Sequence, residues 1–457
     1  MTEPNRPATG YLRLFNMLRH WVVACAFLAL AAGLLLPVHS DELGWRLQQR
    51  FWIDGVDRLA AGQCGAGTLA VPPLFMWPVR WYSAFTNLHA APPFWVRASG
   101  VANACLWVWM VLKLIRRVSR DGSQRHIIAV IACALIGLGC TPLLLVGSRP
   151  GQPIILTLTA ALLIASGAWQ TPGNRFTPFS DMLYATAPAA PGIAWLRSLG
   201  IAALAMVALS YHVKALVLMP VFATALLIAS RGPRAHGPRL LSLALLVGAS
   251  LSALNYWSTA PACLPQPTAA QGPWLALSNL NFADYIDRAA PQVFPMADWL
   301  APGRVSWDEV HGWRGGMQVI WSLAAACALL AAGTALWKQA RQRVLAIDAL
   351  MALILLLVTC LWCASQFVRQ DYETGFVLPL LVLMVVMGLA SPHDLGWLKR
   401  FLPVLSLALG SLMLLSLVLV AGLYGPPMIT ALEADPGITH QPSFAPSPQH
   451  SSASSVP

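Results

Sequence analysis

About eleven apolar runs of roughly 16–22 residues, parted by short polar breaks, set the terms on which this chain can fold. They fall near 21–38, 98–115, 127–147, 153–169, 195–211, 215–230, 240–257, 317–337, 344–364, 376–391 and 401–423. Runs of that length match the hydrocarbon thickness that a helix rising 1.5 Å per residue must cross. None alternates as a barrel strand would, and backbone in lipid has to satisfy its polar groups within its own segment. Composition agrees: 57% of residues are hydrophobic and 10% charged, against about 25% charged in soluble domains. The expected fold is an all-α integral membrane protein with about eleven transmembrane helices over 1–424. A Pro-, Ser- and His-bearing tail over 425–457 is expected to be disordered.

The formal net charge of +11 would suit a polyanion partner, but its distribution argues for orientation instead. With the N-terminus placed inside, 18 of the 29 Lys and Arg residues fall at inner ends and inner links. Among them are Arg13, Arg19, Lys113, Arg116, Arg117, Arg120, Arg125, Arg197, Arg239, Lys338, Arg341 and Arg400. This is the positive-inside bias, and with an odd helix number it predicts an N-in, C-out topology. Nucleic acid is not an expected partner; the membrane is. Acidic residues crowd the other side, including Asp41, Glu42, Asp54, Asp57, Asp284, Asp287, Asp308 and Glu309. Solvated loops account for much of that crowding, and catalysis on that face would account for the rest.

Two outer segments, about 39–97 and about 258–316, are too long to be simple connectors. In the first, Trp45, Phe51, Trp52, Val56 and Leu59 recur at near-helical spacing, which suits an amphipathic helix in the headgroup plane. The apolar stretch 71–85 is interrupted by three prolines and an arginine, so it reads as interfacial or re-entrant. The second segment is rich in Pro and aromatic residues and is expected to hold short helices. Run 21–38 is longer than a signal-peptide core and many spans follow it, so it reads as a retained first helix. Cys360 and Cys363 have CxxC spacing but sit in an apolar span, where cysteines behave as small hydrophobes. Cys64 and Cys263, both in outer loops, are positioned to pair if that face is oxidising.

The residues able to carry chemistry converge on the outer face. Asp41-Glu42 follows the first span directly; the pair reads either as a helix cap or as catalytic carboxylates. Arg149, in the tight turn Ser148-Arg149-Pro150-Gly151, reads as a snorkelling side chain or as a clamp for a lipid phosphate. Tyr211-His212-Val213-Lys214 fills the short link between the fifth and sixth spans, at a depth where charge is costly unless paired. Arg369 and Asp371, before the tenth span, are the remaining candidates.

In these residues the chain resembles the GT-C membrane glycosyltransferases, which use polyprenyl-phosphate-linked sugars. It is similar in its acidic pair after span one (Asp41-Glu42), its Arg-Pro turn after span three (Arg149-Pro150), and its His-x-Lys stretch (His212-Val213-Lys214) leading into a Leu/Pro-rich span. Many members carry an acid after Arg-Pro where this chain has Gly151. The likeness covers roughly 20–400 in layout and a handful of positions by identity. It implies transfer of a sugar from a polyprenyl-phosphate donor to a lipid, glycan or protein acceptor. Asp41 would be the base and Glu42 its helper. Arg149, His212 and Lys214 would hold the lipid phosphate, with Tyr211, Arg369 and Asp371 as additional site residues. It also leaves room for a divalent metal on Asp41 and Glu42, although two adjacent carboxylates are a thin ligand set. The expected location is a bacterial inner membrane with the active site facing the periplasm. Two other classes compete: a polytopic transporter or lipid flippase, which would favour ionisable residues or broken helices at mid-membrane, and a surface-polysaccharide polymerase or ligase, or an acyltransferase.

Overall fold

Each apolar run forms a helical element. The computed structural model describes residues 9–35, 93–138, 141–147, 151–168, 191–211, 213–230, 236–259, 307–341, 346–364, 374–390, 400–415 and 417–418. The helices are α1 (Thr9–Ala31, extended by a 3-10 turn Ala32–Leu35), α2 (Pro93–Val118), α3 (Gly122–Gly137), α4 (Thr141–Val146) and α5 (Gly151–Ser166). Then come α6 (Pro191–Tyr211), a 3-10 segment Val213–Leu218, α7 (Met219–Ala229) and α8 (His236–Thr259). The last are α9 (Trp307–Arg341), α10 (Ile347–Ala364), α11 (Thr374–Ala390) and α12 (Arg400–Leu415). Among the described residues, five helices are long and apolar enough to cross a membrane: Asn16–Leu34, Ala98–Val118, Gly192–Tyr211, His236–Leu254 and Leu323–Arg341. The other runs form shorter apolar helices. The described residues form an all-α bundle of membrane-type helices.

Two elements depart from the uniform spans that the sequence suggests, and proline is the cause in both. Run 127–147 is broken: α3 stops at Leu138, which is extended (φ −96, ψ 153), and α4 restarts at Thr141-Pro142. Pro142 has no N–H to donate to Leu138 O, and its ring would clash with that carbonyl in a continuous α-helix. Run 215–230 starts as 3-10 helix because Pro220 stands at the start of α7, where its ring would clash with an α-helical turn before it. The two pieces together still span about 28 Å, close to a bilayer core. The outer segment 258–316 also ends earlier than expected. Helix α9 begins at Trp307, so its last ten positions belong to one 35-residue helix rather than to a separate short one. No proline interrupts 307–341 to stop it.

Helix α11 is the axis of the bundle. Val377, Leu378, Leu380, Leu383, Met387 and Leu389 are all buried, and a helix that is apolar all round belongs in a core. Helix α8 is peripheral, with Leu240, Leu241, Val247 and Leu251 exposed. One interhelical polar contact ties the middle of the bundle: Trp107 Nε1 donates to Thr159 Oγ1 at 3.1 Å.

The helix ends sort into two sets. At one end, Arg117 on the last turn of α2 donates to Leu163 O on the last turn of α5 (2.5 Å). Gln124 at the start of α3 donates to Leu389 O and Ala390 O at the end of α11 (2.9 and 3.3 Å). Arg239 at the start of α8 donates to Ser230 O after α7 (2.9 Å), and Ala346 N, before α10, donates to Gln339 Oε1 at the end of α9 (3.1 Å). Starts of odd-numbered runs thus meet ends of even-numbered runs, the pattern of a chain that threads back and forth. The basic residues assigned to inner ends gather here. Lys113 Nζ lies 5.1 Å from the ring centroid of exposed Trp109, and Arg341 Cζ lies 5.4 Å from that of exposed Trp337. Tryptophan paired with a cation is suited to a membrane–water interface.

Candidate functional site

The opposite end of the bundle is built around the start of α5. Gln152, its second residue, donates through Nε2 to Leu145 O (2.5 Å) and Gly100 O (3.0 Å), while Oε1 accepts from Asn103 Nδ2 (3.4 Å). One side chain therefore bridges the two sides of the link between α4 and α5 and ties both to α2. Side chains of neighbouring helices pack directly onto glycines here. A Cβ on Gly33 would meet Val146 Cγ2 at 2.6 Å, and one on Gly151 would meet Phe376 Cδ2 at 3.3 Å. Phe376, at the start of α11, stacks at 46° on fully buried Trp362 near the end of α10, with centroids 4.6 Å apart. The ends of α1, α4 and α10 and the starts of α5 and α11 thus share this end.

The candidate residues sit on the links that leave these helix ends. Asp41, Glu42, Arg149, His212, Arg369 and Asp371 lie outside the described residues. Lys214 falls on the 3-10 segment Val213–Leu218, which packs against α5, α6 and α10; its backbone is described and its side chain is not. Tyr211, the last residue of α6, is half-buried against the core. Both members of the expected Cys64–Cys263 pair, the amphipathic stretch of the first outer segment, the stretch 71–85 and the tail 425–457 also lie outside the described residues. Cys360 is a free, half-buried thiol on α10, and the side chain of Cys363 is outside the described set. Among the described residues, no group of three or more His, Cys, Asp or Glu is placed to hold a metal.

Reading the sequence missed Gln152 and Asn103. A signal was there: two uncharged amides at the edges of apolar runs, where a polar group needs a partner. Their partners could not be read, since Gly100 and Leu145 carry them as backbone carbonyls.

No protein-family model, no curated protein and no solved structure matches this chain.

Proposed function

We propose that this protein is a membrane glycosyltransferase that moves a sugar from a polyprenyl-phosphate donor to an acceptor hydroxyl at the outer mouth of its bundle. The proposed topology has about eleven crossings with the N-terminus inside, in a bacterial inner membrane. One observation carries the reading. The helix ends bordering four separate candidate segments (after Leu35, before Gly151, at Val213 and before Thr374) lie at the same end of the bundle, away from the basic end. Arg149 is two residues from Gly151 in the chain, and His212 is one residue from described backbone on either side.

In the proposed step the acceptor oxygen attacks the anomeric carbon as its proton passes to the carboxylate of Asp41, which Glu42 orients. The bond between that carbon and the phosphate oxygen breaks, and the lipid phosphate leaves with the electron pair. Charge grows on that phosphate in the transition state. Arg149, His212 and Lys214 would stabilise it, Arg149 by gripping two oxygens at once. Tyr211, Arg369 and Asp371 would line the same mouth. A divalent metal, if the enzyme takes one, would sit on Asp41 and Glu42 and add positive charge beside the phosphate.

The broken third run bears on the transporter alternative, because discontinuous helices mark transporter sites near the bilayer midplane. Here the break follows the 16 residues of α3, which is about 24 Å from the basic end. In a core of about 30 Å that is close to the outer surface and not at the centre. Its depth suits a mouth that admits a lipid headgroup.

The test is mass spectrometry of surface glycans and lipids from a deletion strain complemented with wild type or Asp41→Asn. A sugar that is missing in the deletion, restored by wild type and still missing with Asp41→Asn supports the reading. Full restoration by Asp41→Asn would remove Asp41 from the mechanism, and an unchanged glycan profile in the deletion would remove the activity.

A further inference from the structure

We propose that α2, α5 and α6 form a groove at the basic end of the bundle that holds one anionic phospholipid, its phosphate between Arg117 and Arg197 and an acyl chain along α5. The site lies away from the outer mouth and is independent of the transfer reaction. Helix α5 packs against α2 and against α6, which places it between the two. From Leu156 onward it is accessible only at Leu156, Thr157, Ala160, Leu163 and Ile164, with Gly167 just beyond its end. Three- and four-residue spacing puts these positions on one face. The strip is about 16 Å long, about half of a hydrocarbon core and so the depth of one leaflet.

The neighbouring helices supply the walls. On α2, exposed Leu106, Lys113 and Arg117 stand in one row at seven- and four-residue spacing. On α6, exposed Leu196 and Val207 stand in register with half-buried Gly200, where a Cβ would lie 3.6 Å from Ile164 Cδ1. The missing side chain of Gly200 and the small one of Ala160 leave the strip recessed between two rows of larger apolar residues.

Two arginines close the basic end of this strip, one from each wall, and both touch the same turn. Arg117 donates through Nη1 to Leu163 O (2.5 Å). Arg197 has Nη2 3.3 Å and Cζ 3.7 Å from a Cβ placed on Gly167. Leu163 and Gly167 are one helical turn apart on the accessible face. The cap on α5 uses Nη1 of Arg117 and leaves Nη2 for a second partner. The two acids with described side chains stand elsewhere: Asp121 caps α3, and Asp348 opens α10. Guanidinium forks match the oxygens of a phosphate, and basic pockets between membrane helices suit anionic headgroups. Positive charge at the mouth of an apolar recess one leaflet deep is complementary to a lipid with a negative head, whereas a soluble anion would use the arginines alone.

Native mass spectrometry of the full chain, released from micelles holding equal phosphatidylglycerol and phosphatidylcholine, tests the site. The wild type should retain phosphatidylglycerol over phosphatidylcholine by about thirtyfold, two cations at the contribution usual beside an anionic leaflet. Arg117→Gln/Arg197→Gln should bring the two lipids to parity, and Arg239→Gln, a helix-capping control at the same end, should keep the preference. Ala160→Phe keeps both cations and fills the recess, so it should lower retention of phosphatidylglycerol severalfold. Should the double variant fail to fold, Arg197→Gln takes its place; it leaves the cap on α5 intact and should lower the preference about fivefold. A wild type that does not discriminate, or a preference that survives loss of the arginines, overturns the proposal. So does a preference that falls as far with Arg239→Gln, or retention that is unchanged in Ala160→Phe.

Discussion

Replacing Gln152 by leucine tests whether one amide ties α2, α4 and α5 together. The change keeps side-chain bulk and removes three hydrogen bonds: two donated to Gly100 O and Leu145 O, and one accepted from Asn103. Interhelical hydrogen bonds in membrane proteins average about 0.6 kcal/mol each, so the loss should come to about 2 kcal/mol. The short bond to Leu145 O should dominate, because its removal strands a carbonyl beside the proline-bearing α4. Thermal unfolding of the purified protein in detergent, followed by tryptophan fluorescence, reads the stability. If the full 2 kcal/mol serves to place the Arg149 turn, transfer from a lipid-phosphate donor falls about thirtyfold in kcat/KM. Asn103→Ala removes only the longest of the three bonds and should cost about 0.6 kcal/mol or less. A Gln152→Leu protein that unfolds with the wild type, or an Asn103→Ala protein that is equally damaged, would refute the role given to this network.

Asp41→Asn should abolish transfer while leaving expression and membrane insertion unchanged, as measured by product formation and by immunoblot of the membrane fraction. Arg149→Ala and Lys214→Ala should each weaken use of the lipid donor by about 100–1000-fold, the span seen when a group facing developing charge is removed; normal kinetics in both would place the phosphate elsewhere. Gly388→Val should lower the thermal midpoint at a cost of about 1–3 kcal/mol, because a Cβ there would meet Ala332 Cβ at 2.7 Å and Ala332 Cα at 3.3 Å where α9 and α11 cross. In a background stripped of the nine native cysteines, Gly122→Cys should resist an impermeant maleimide on intact cells and react in inverted vesicles. Labelling from outside would reverse the proposed orientation.

The helices were legible because their signal is local. Length and apolarity alone place each of the runs, and a helix such as α11 needs no partner information to be read as buried. The break at Leu138 and the 3-10 segment before Met219 were also written locally, in Pro142 and Pro220, but averaging hydropathy over a run hides a single proline. The Gln152 node was not legible, because its partners come from α2 and α4 and reveal themselves only once those helices are packed. The candidate site sits on the links between helices, where residue type suggests chemistry and position depends on packing; of its eight residues, Tyr211 alone has a described side chain. The basic residues show most clearly what a count along the chain merges. Read in sequence, Arg117, Arg197 and Arg239 contribute alike to an orientation signal. In the bundle they lie at the ends of α5 and α7, where carbonyls lack helical partners and the macrodipole favours positive charge. Every even-numbered run ends at this face, so Arg117 and Arg239, which the sequence offers as orientation signals, also serve as caps for its helices.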